Sequence, residues 1–245
     1  MRGKKYDQVH LVADVRTPDD AFTTGVRGVS ISTWWNRVRY TAYAPAYDLA
    51  VAHLPLFQRG RRRSLALADF RRGERVLMIA GGTGLDLAYL PDGIDAIATD
   101  VTPAMVTRMA MRAQALREAG RDLQVRTQVM DAARLTLPDE SVDGVILHLA
   151  LAVVPDPVAA IREAARVLRP GGRIAVFDKF LPDGERPSLR RRIAAVVMRL
   201  VATDLNRQLG PLLNAAGLRV VASEAIGLGG MFMVARVERF DSPRS

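Results

Sequence analysis

The rhythm of apolar and polar positions changes twice along the chain. Residues 1–32 show weak periodicity and scattered polar side chains, and are expected to form an arm. Ser32-Thr33 then offers a helix N-cap ahead of Trp34, Trp35, Val38 and Ala42 at helical spacing, and Pro45 is expected to break or kink that helix. A second helix over 46–57, the basic run Arg59-Gly60-Arg61-Arg62-Arg63 and a further helical stretch over 64–68 complete an N-terminal helical cap, residues 33–72. From Glu74 short apolar runs take over. The runs at 75–80 and 96–100 read as buried parallel strands, the first ending in glycines and the second in Asp100. A helix over 103–119 follows, with Pro103 in its first turn and Gly120 as its stop. Further strands are predicted at 123–130, 142–149, 173–177, 218–226 and 231–239. Helices are predicted from the Asp156-Pro157 cap to 168, then at 188–202 and 205–215, with a turn at Pro170-Gly171-Gly172. Strands alternating with helices predict an α/β domain over 33–240, doubly wound, its sheet mostly parallel with helices on both faces.

Composition narrows the function. At 49% apolar residues the chain can bury a sizeable core. With no cysteine it has no disulfide framework, cysteine nucleophile or thiolate metal site, and no metal is expected. No run of 18 apolar residues predicts a membrane span, and the first residues lack the apolar centre of a signal peptide, so a cytoplasmic location is expected. The formal charge is +9, carried almost entirely by arginine, with Lys4, Lys5 and Lys179 the only lysines. Such a balance suits a nucleic acid, an anionic membrane surface or an acidic cofactor.

The most informative pattern is a strand, then Gly81-Gly82-Thr83-Gly84, then a helix, with Asp100 closing the next strand. Glycines let the backbone turn sharply and approach a ligand, and a carboxylate at the second strand end can accept both hydroxyls of a ribose. An adenosine-like ligand is therefore expected across the carboxyl ends of the first two strands. A dinucleotide site would place a third glycine where Leu87 stands, and a phosphate-binding loop would need Gly-Lys-Ser/Thr, which is absent. The remaining option is S-adenosyl-L-methionine (SAM).

Several ordered motifs then resemble the class I SAM-dependent methyltransferases: Val76-Leu-Met-Ile-Ala-Gly-Gly-Thr-Gly84, Thr99-Asp100-Val-Thr-Pro-Ala-Met105, Met130-Asp131-Ala132, Leu135 to Asp143, Val154-Pro-Asp156 and Arg162 to Gly172. The resemblance covers roughly residues 40–240. It implies a Rossmann-like sheet of seven strands with the last antiparallel. It also implies that Ala80, Gly81, Gly82 and Gly84 face the methionine part and ribose, and that Asp100 holds the ribose. Val101 and Met105 would flank the adenine, Asp131 would accept from its amino group, and the Ala132 amide would lie beside it. Two positions depart from the family pattern: Met78 replaces the usual acidic residue and Ala80 the usual glycine. Ala80 is compatible with the turn if its φ is negative.

On the acceptor side, Tyr40 to Asp48 resembles the entry helix of two lipid-directed branches of that family. One methylates phosphatidylethanolamine on nitrogen, and the other methylates demethylmenaquinone- or ubiquinone-type rings on carbon. Leu147 to Asp156, Phe177 to Leu181 and Thr203 to Arg207 with Gly227 to Gly230 look closer to the phospholipid branch. The phospholipid branch is the favoured expectation, with the protein peripheral on the inner face of the membrane. Trp34, Trp35, Arg37 and Arg39 suit either a bilayer interface or packing on the core, as does the basic-amphipathic stretch from Arg190 to Val201. His148 and Tyr47 are the candidate catalytic residues, for shedding a proton and aligning the acceptor. Tyr40, Tyr43, Lys179 and Arg207 are candidate substrate contacts. A nucleic-acid partner is not expected, because aromatics are only 6% and no base-stacking motif is present.

Overall fold

The computed structural model describes residues 54–181, 183–185, 206–227 and 231–240. The expected arm, the helix with Trp34 and Trp35, Tyr40, Tyr43, Tyr47 and the stretch 188–202 lie outside the described residues. The elements are α1 (Pro55–Ala68), β1 (Arg75–Met78), a short 3₁₀ helix (Leu85–Tyr89), β2 (Ile94–Asp100), α2 (Pro103–Glu118), β3 (Leu123–Val129), β4 (Val142–His148), α3 (Pro157–Val167), β5 (Leu168–Lys179), α4 (Leu209–Asn214), β6 (Leu218–Ile226) and β7 (Phe232–Arg239).

One seven-stranded sheet runs in the order β3-β2-β1-β4-β5-β7-β6. β1 to β5 pair in parallel, while β7 runs antiparallel to both β5 and β6. The expected topology is thus present, including the antiparallel final strand. β1 and β4 are apolar throughout their centres because helices cover both faces, and Leu77, Val145, Ile146 and Leu147 are fully buried. The order reverses at β1, where the chain moves outward to β3 and then returns through β4. That switch leaves a crevice at the carboxyl edge of β1, β2 and β4.

Three local expectations need correction. The two helices expected around the basic run are one continuous helix, α1, with Arg59 to Arg63 inside it. A solvated arginine run does not break a helix here because Gly60 and Arg61 face inward and are buried. The helix after the glycine turn is only the 3₁₀ segment Leu85–Tyr89, which stops ahead of Pro91. The expected turn at Pro170-Gly171-Gly172 lies within β5, where a register shift against β4 between Val142 and Gly144 absorbs it. The expected Asp156 cap is present, its carboxylate accepting the Ala159 N–H at 2.9 Å.

α1 is seated on the sheet by close contact. A Cβ at Gly60 would stand 2.2 Å from Cζ of Phe177. Phe177 is fully buried and packs against Phe57 and Phe232, so its ring has nowhere to retreat. Gly60→Ala is expected to destabilise the fold by about 1–3 kcal/mol through overpacking. The urea midpoint measures this directly, and an unchanged midpoint would mean that α1 does not seat on Phe177.

Candidate cofactor site and its surroundings

The carboxyl ends of β1 and β2 are tied together by short hydrogen bonds. The Gly81 N–H donates to the Thr99 carbonyl at 2.8 Å, and the Thr99 hydroxyl donates back to the Met78 carbonyl at 3.0 Å. Asp100 then binds two loops at once. Its Oδ2 accepts the Gly82 N–H at 3.0 Å, and its Oδ1 accepts the Thr102 N–H at 2.8 Å. Burial is the dominant influence on this carboxyl and leaves it above the ordinary carboxylate range, although the Thr102 and Gly82 N–H groups pull the other way.

The glycine turn needs its glycines for different reasons. Gly82 and Gly84 have φ of +56° and +78°. Gly81 is required by proximity, since a Cβ there would lie 2.5 Å from Sδ of Met78. At Gly82 a Cβ would meet nothing within 4 Å, so the outer face of the turn is open backbone of the kind that admits a ligand. Ala80 does not meet the expected condition: its φ is +50°. An alanine is held in the left-handed region there, which costs roughly 1–2 kcal/mol. Met78 is almost fully buried beneath the turn, so no carboxylate stands at that position.

The adjoining expected residues gather at the same edge. Met105, on the first turn of α2, is buried, and Val101 directly follows Asp100. The Met130 N–H donates to the Asp100 carbonyl at 3.1 Å, which brings Asp131 and Ala132 beside β2. Asp131 is exposed and accepts the Ala133 N–H at 2.9 Å. The loop that follows is braced by α3, where Glu163 accepts the Leu135 N–H at 2.7 Å and Arg166 donates to the Leu135 and Leu137 carbonyls.

The acceptor-side residues are placed differently from the expectation. His148 ends β4, but its side chain is only 1% exposed. Its Nδ1 lies 2.7 Å from Asp86 and its Nε2 2.9 Å from the Ser64 hydroxyl, so both ring nitrogens are engaged inside the protein. Arg207 donates to the carbonyls of Leu151 and Val154 and thereby supports the loop after β4. Lys179, at the end of β5, lies 5.8 Å over the Phe232 ring. Burial holds its ammonium below the ordinary lysine range against the opposing charge of Asp178. Asp178 is fully buried, and burial raises its carboxyl above the usual range although it accepts the Lys179 and Ala152 N–H groups. Arg61, Ser64, Asp86 and Asp178 were not among the expected site residues. The signal for Asp86 was a carboxylate inside the apolar run Leu85-Asp86-Leu87, immediately after the glycine turn.

The family profile described as "Methyltransferase domain" matches residues 77–176. A phosphatidylethanolamine N-methyltransferase from Cereibacter sphaeroides is 28% identical over 179 residues, covering 73% of this chain and 86% of that protein. A demethylmenaquinone methyltransferase from Mycobacterium sp. (strain KMS) is 36% identical over 146 residues, covering 58% of this chain and 59% of that one. Residues 77–176 carry a methyltransferase domain. The [4+2]-cyclase SpnF shares the fold at a TM-score of 0.66 and 17% identity, over 88% of this chain and 99% of that one. A SAM-dependent methyltransferase from Aquifex aeolicus does so at 0.53 and 20%, over 72% and 88%. Structural likeness at this level concerns the fold alone. SAM is the cofactor of the methyltransferase domain, and the glycine turn, open at Gly82, beside a half-buried carboxylate fits its adenosine portion.

Three outcomes follow for this domain. Asp100→Ala is expected to weaken SAM binding tenfold or more, since a charge-assisted hydrogen bond contributes about 1.5–3 kcal/mol. Because burial holds the Asp100 carboxyl above the ordinary range, it takes up a proton at a higher pH than a solvated aspartate, and wild-type SAM affinity should fall as the pH is lowered from neutral into the acid range. Calorimetry across that range checks both, and a pH-independent affinity in the wild type would contradict the role of the ionised carboxylate. Ala80→Gly is expected to raise stability by about 0.5–1 kcal/mol by relieving the positive φ, read as a higher denaturant midpoint.

Proposed function

We propose that the protein transfers a methyl group from SAM to the amine of phosphatidylethanolamine or its methylated products at an anionic membrane surface. SAM supplies an electrophilic methyl on a sulfonium, so the protein's task is to align the acceptor nitrogen in line with it and to exclude water. In this reading Asp100 accepts the ribose hydroxyls, and Gly81, Gly82 and Gly84 face the ribose and methionine part, next to Ala80, with open backbone at Gly82. Val101 and Met105 flank the adenine, while Asp131 accepts from its amino group with the Ala132 amide alongside. Met78 offers no charge to the ammonium of SAM, which leaves backbone carbonyls of the turn to accept from it.

The single observation that carries the lipid reading is the span of the relative: the phosphatidylethanolamine enzyme aligns over 86% of its own length. A groove of about 600 Å³ at the carboxyl end of β6 adds a physical reason. Gln58, Arg59, Arg62 and Arg63 of α1 line it opposite Glu224 to Gly227, and such a cationic rim suits a lipid phosphate or an anionic bilayer. An ethanolamine ammonium must lose its proton before its lone pair can attack. Lys179, whose ammonium burial already disfavours, stands at the carboxyl edge to help, with Tyr40, Tyr43 and Tyr47 aligning the headgroup. Arg207 and His148 act in this reading through the loops and neighbours they hold, not by touching the acceptor. Among the described residues no helix is long and apolar enough to cross a membrane, and no group of three or more histidines or carboxylates is placed to hold a metal.

A second reading, carbon methylation of a demethylmenaquinone or ubiquinone precursor, is favoured by the higher identity, 36%, of the quinone relatives over the shorter span. Incubation with labelled SAM and each acceptor separates the two. Mono-, di- or trimethylated phosphatidylethanolamine on thin-layer plates is the expected result. A methylated ring with no lipid amine product would reject it in favour of the quinone. Lys179→Met is expected to lower turnover at pH 7 by tenfold or more with little change in SAM affinity, and equal turnover would remove Lys179 from the acceptor side.

A further inference from the structure

Beneath the cofactor turn lies a buried ionic cluster that neither SAM nor the acceptor requires. Asp86 sits on the 3₁₀ helix two residues after Gly84 and is almost fully buried. One of its oxygens, Oδ1, lies 2.7 Å from His148 Nδ1 and 2.9 Å from Arg61 Nε. Ser64, one turn along α1 from Arg61, meets His148 Nε2 at 2.9 Å and donates to the Val176 carbonyl of β5 at 3.0 Å. All four side chains are buried. Burial drives the Asp86 carboxyl upward, yet His148 and Arg61 outweigh it and hold the group below the usual carboxylate range.

Stability does not explain such a cluster. Desolvating paired charges costs several kcal/mol per ion, and well-packed apolar residues of the same volume commonly hold a fold as well or better. What the cluster adds is register. α1 must bring Arg61 and Ser64 to partners on three other elements at once, and one of those elements is the continuation of the glycine turn. If the turn shifts, Asp86 shifts, and α1 loses its ion pair.

We propose that Asp86 is a positioning residue through which the glycine turn and α1 are seated together, so that filling the cofactor site tightens the helix leading into the acceptor side. The proposal rests on the reading that Gly81 to Gly84 and Asp100 bind SAM. Coupling of this kind is reciprocal: what steadies the turn steadies α1, and what loosens α1 weakens cofactor binding. The titratable and charged groups facing Asp86 are His148 on β4 and Arg61 on α1.

Amide hydrogen exchange with and without S-adenosylhomocysteine tests this on the full chain. In the wild type the ligand is expected to slow exchange at residues 81–102, and also across residues 58–68 of α1, by about tenfold. In Asp86→Asn, protection at 81–102 persists on a several-fold weaker dissociation constant, while the ligand-dependent protection of α1 disappears. A merely structural residue would speed α1 exchange equally with and without ligand, and that result would overturn the proposal. Ser64→Ala, which removes two hydrogen bonds and no charge, is expected to reduce the α1 effect in part, and serves if Asp86→Asn does not fold. Wild-type protection at 81–102 with none in α1 overturns the coupling alone. No protection at 81–102 overturns the cofactor reading, and the coupling with it.

Discussion

The carboxylate of Asp100 is the constraint from which the site follows. It ends β2, and its two oxygens hold the Gly82 and Thr102 amides, so the loops leaving β1 and β2 cannot move independently. The same residue's carbonyl receives the Met130 amide and draws the loop after β3 to the same edge. Even a half-buried carboxylate is costly unless its lone pairs are used. Here the backbone uses part of that capacity and a ribose would use more. Burial that makes the carboxyl reluctant to ionise also makes its ionised form a strong acceptor, because little water competes for it.

Much of this is legible in the residues. Apolar runs bounded by glycine and aspartate locate β1 and β2, and the glycine turn together with a carboxylate at the second strand end suggests a ribose. The Asp156 cap and the parallel order with an antiparallel last strand are equally readable, the latter through resemblance. What periodicity does not reveal is the set of interactions between elements far apart in the chain. Arg61 looks like one member of a solvated basic run, yet Gly60 lets α1 approach Phe177 so closely that Arg61 turns inward to Asp86. His148 looks like a side chain at an open strand end, yet Asp86 and Ser64 enclose it. The positive φ of Ala80 is equally hidden, since alanine normally signals the opposite.

Chemistry and fold part company at the sheet. The same fold occurs, at 17% identity, in a protein named a [4+2]-cyclase, so the fold alone does not decide the reaction. In the proposed reading the sheet edge provides the cofactor geometry, and α1 provides both a cationic rim and a buried ionic connection back to the glycine turn. The two faces of one helix would then serve two different parts of the reaction.

The most direct measurement of the central claim is a crystal structure of the protein with S-adenosylhomocysteine. The account predicts both ribose hydroxyls within hydrogen-bond distance of the Asp100 carboxylate, with the ligand lying across Gly81 to Gly84. A ligand bound elsewhere, with Asp100 still closed on Gly82 and Thr102 and touching nothing else, would contradict it.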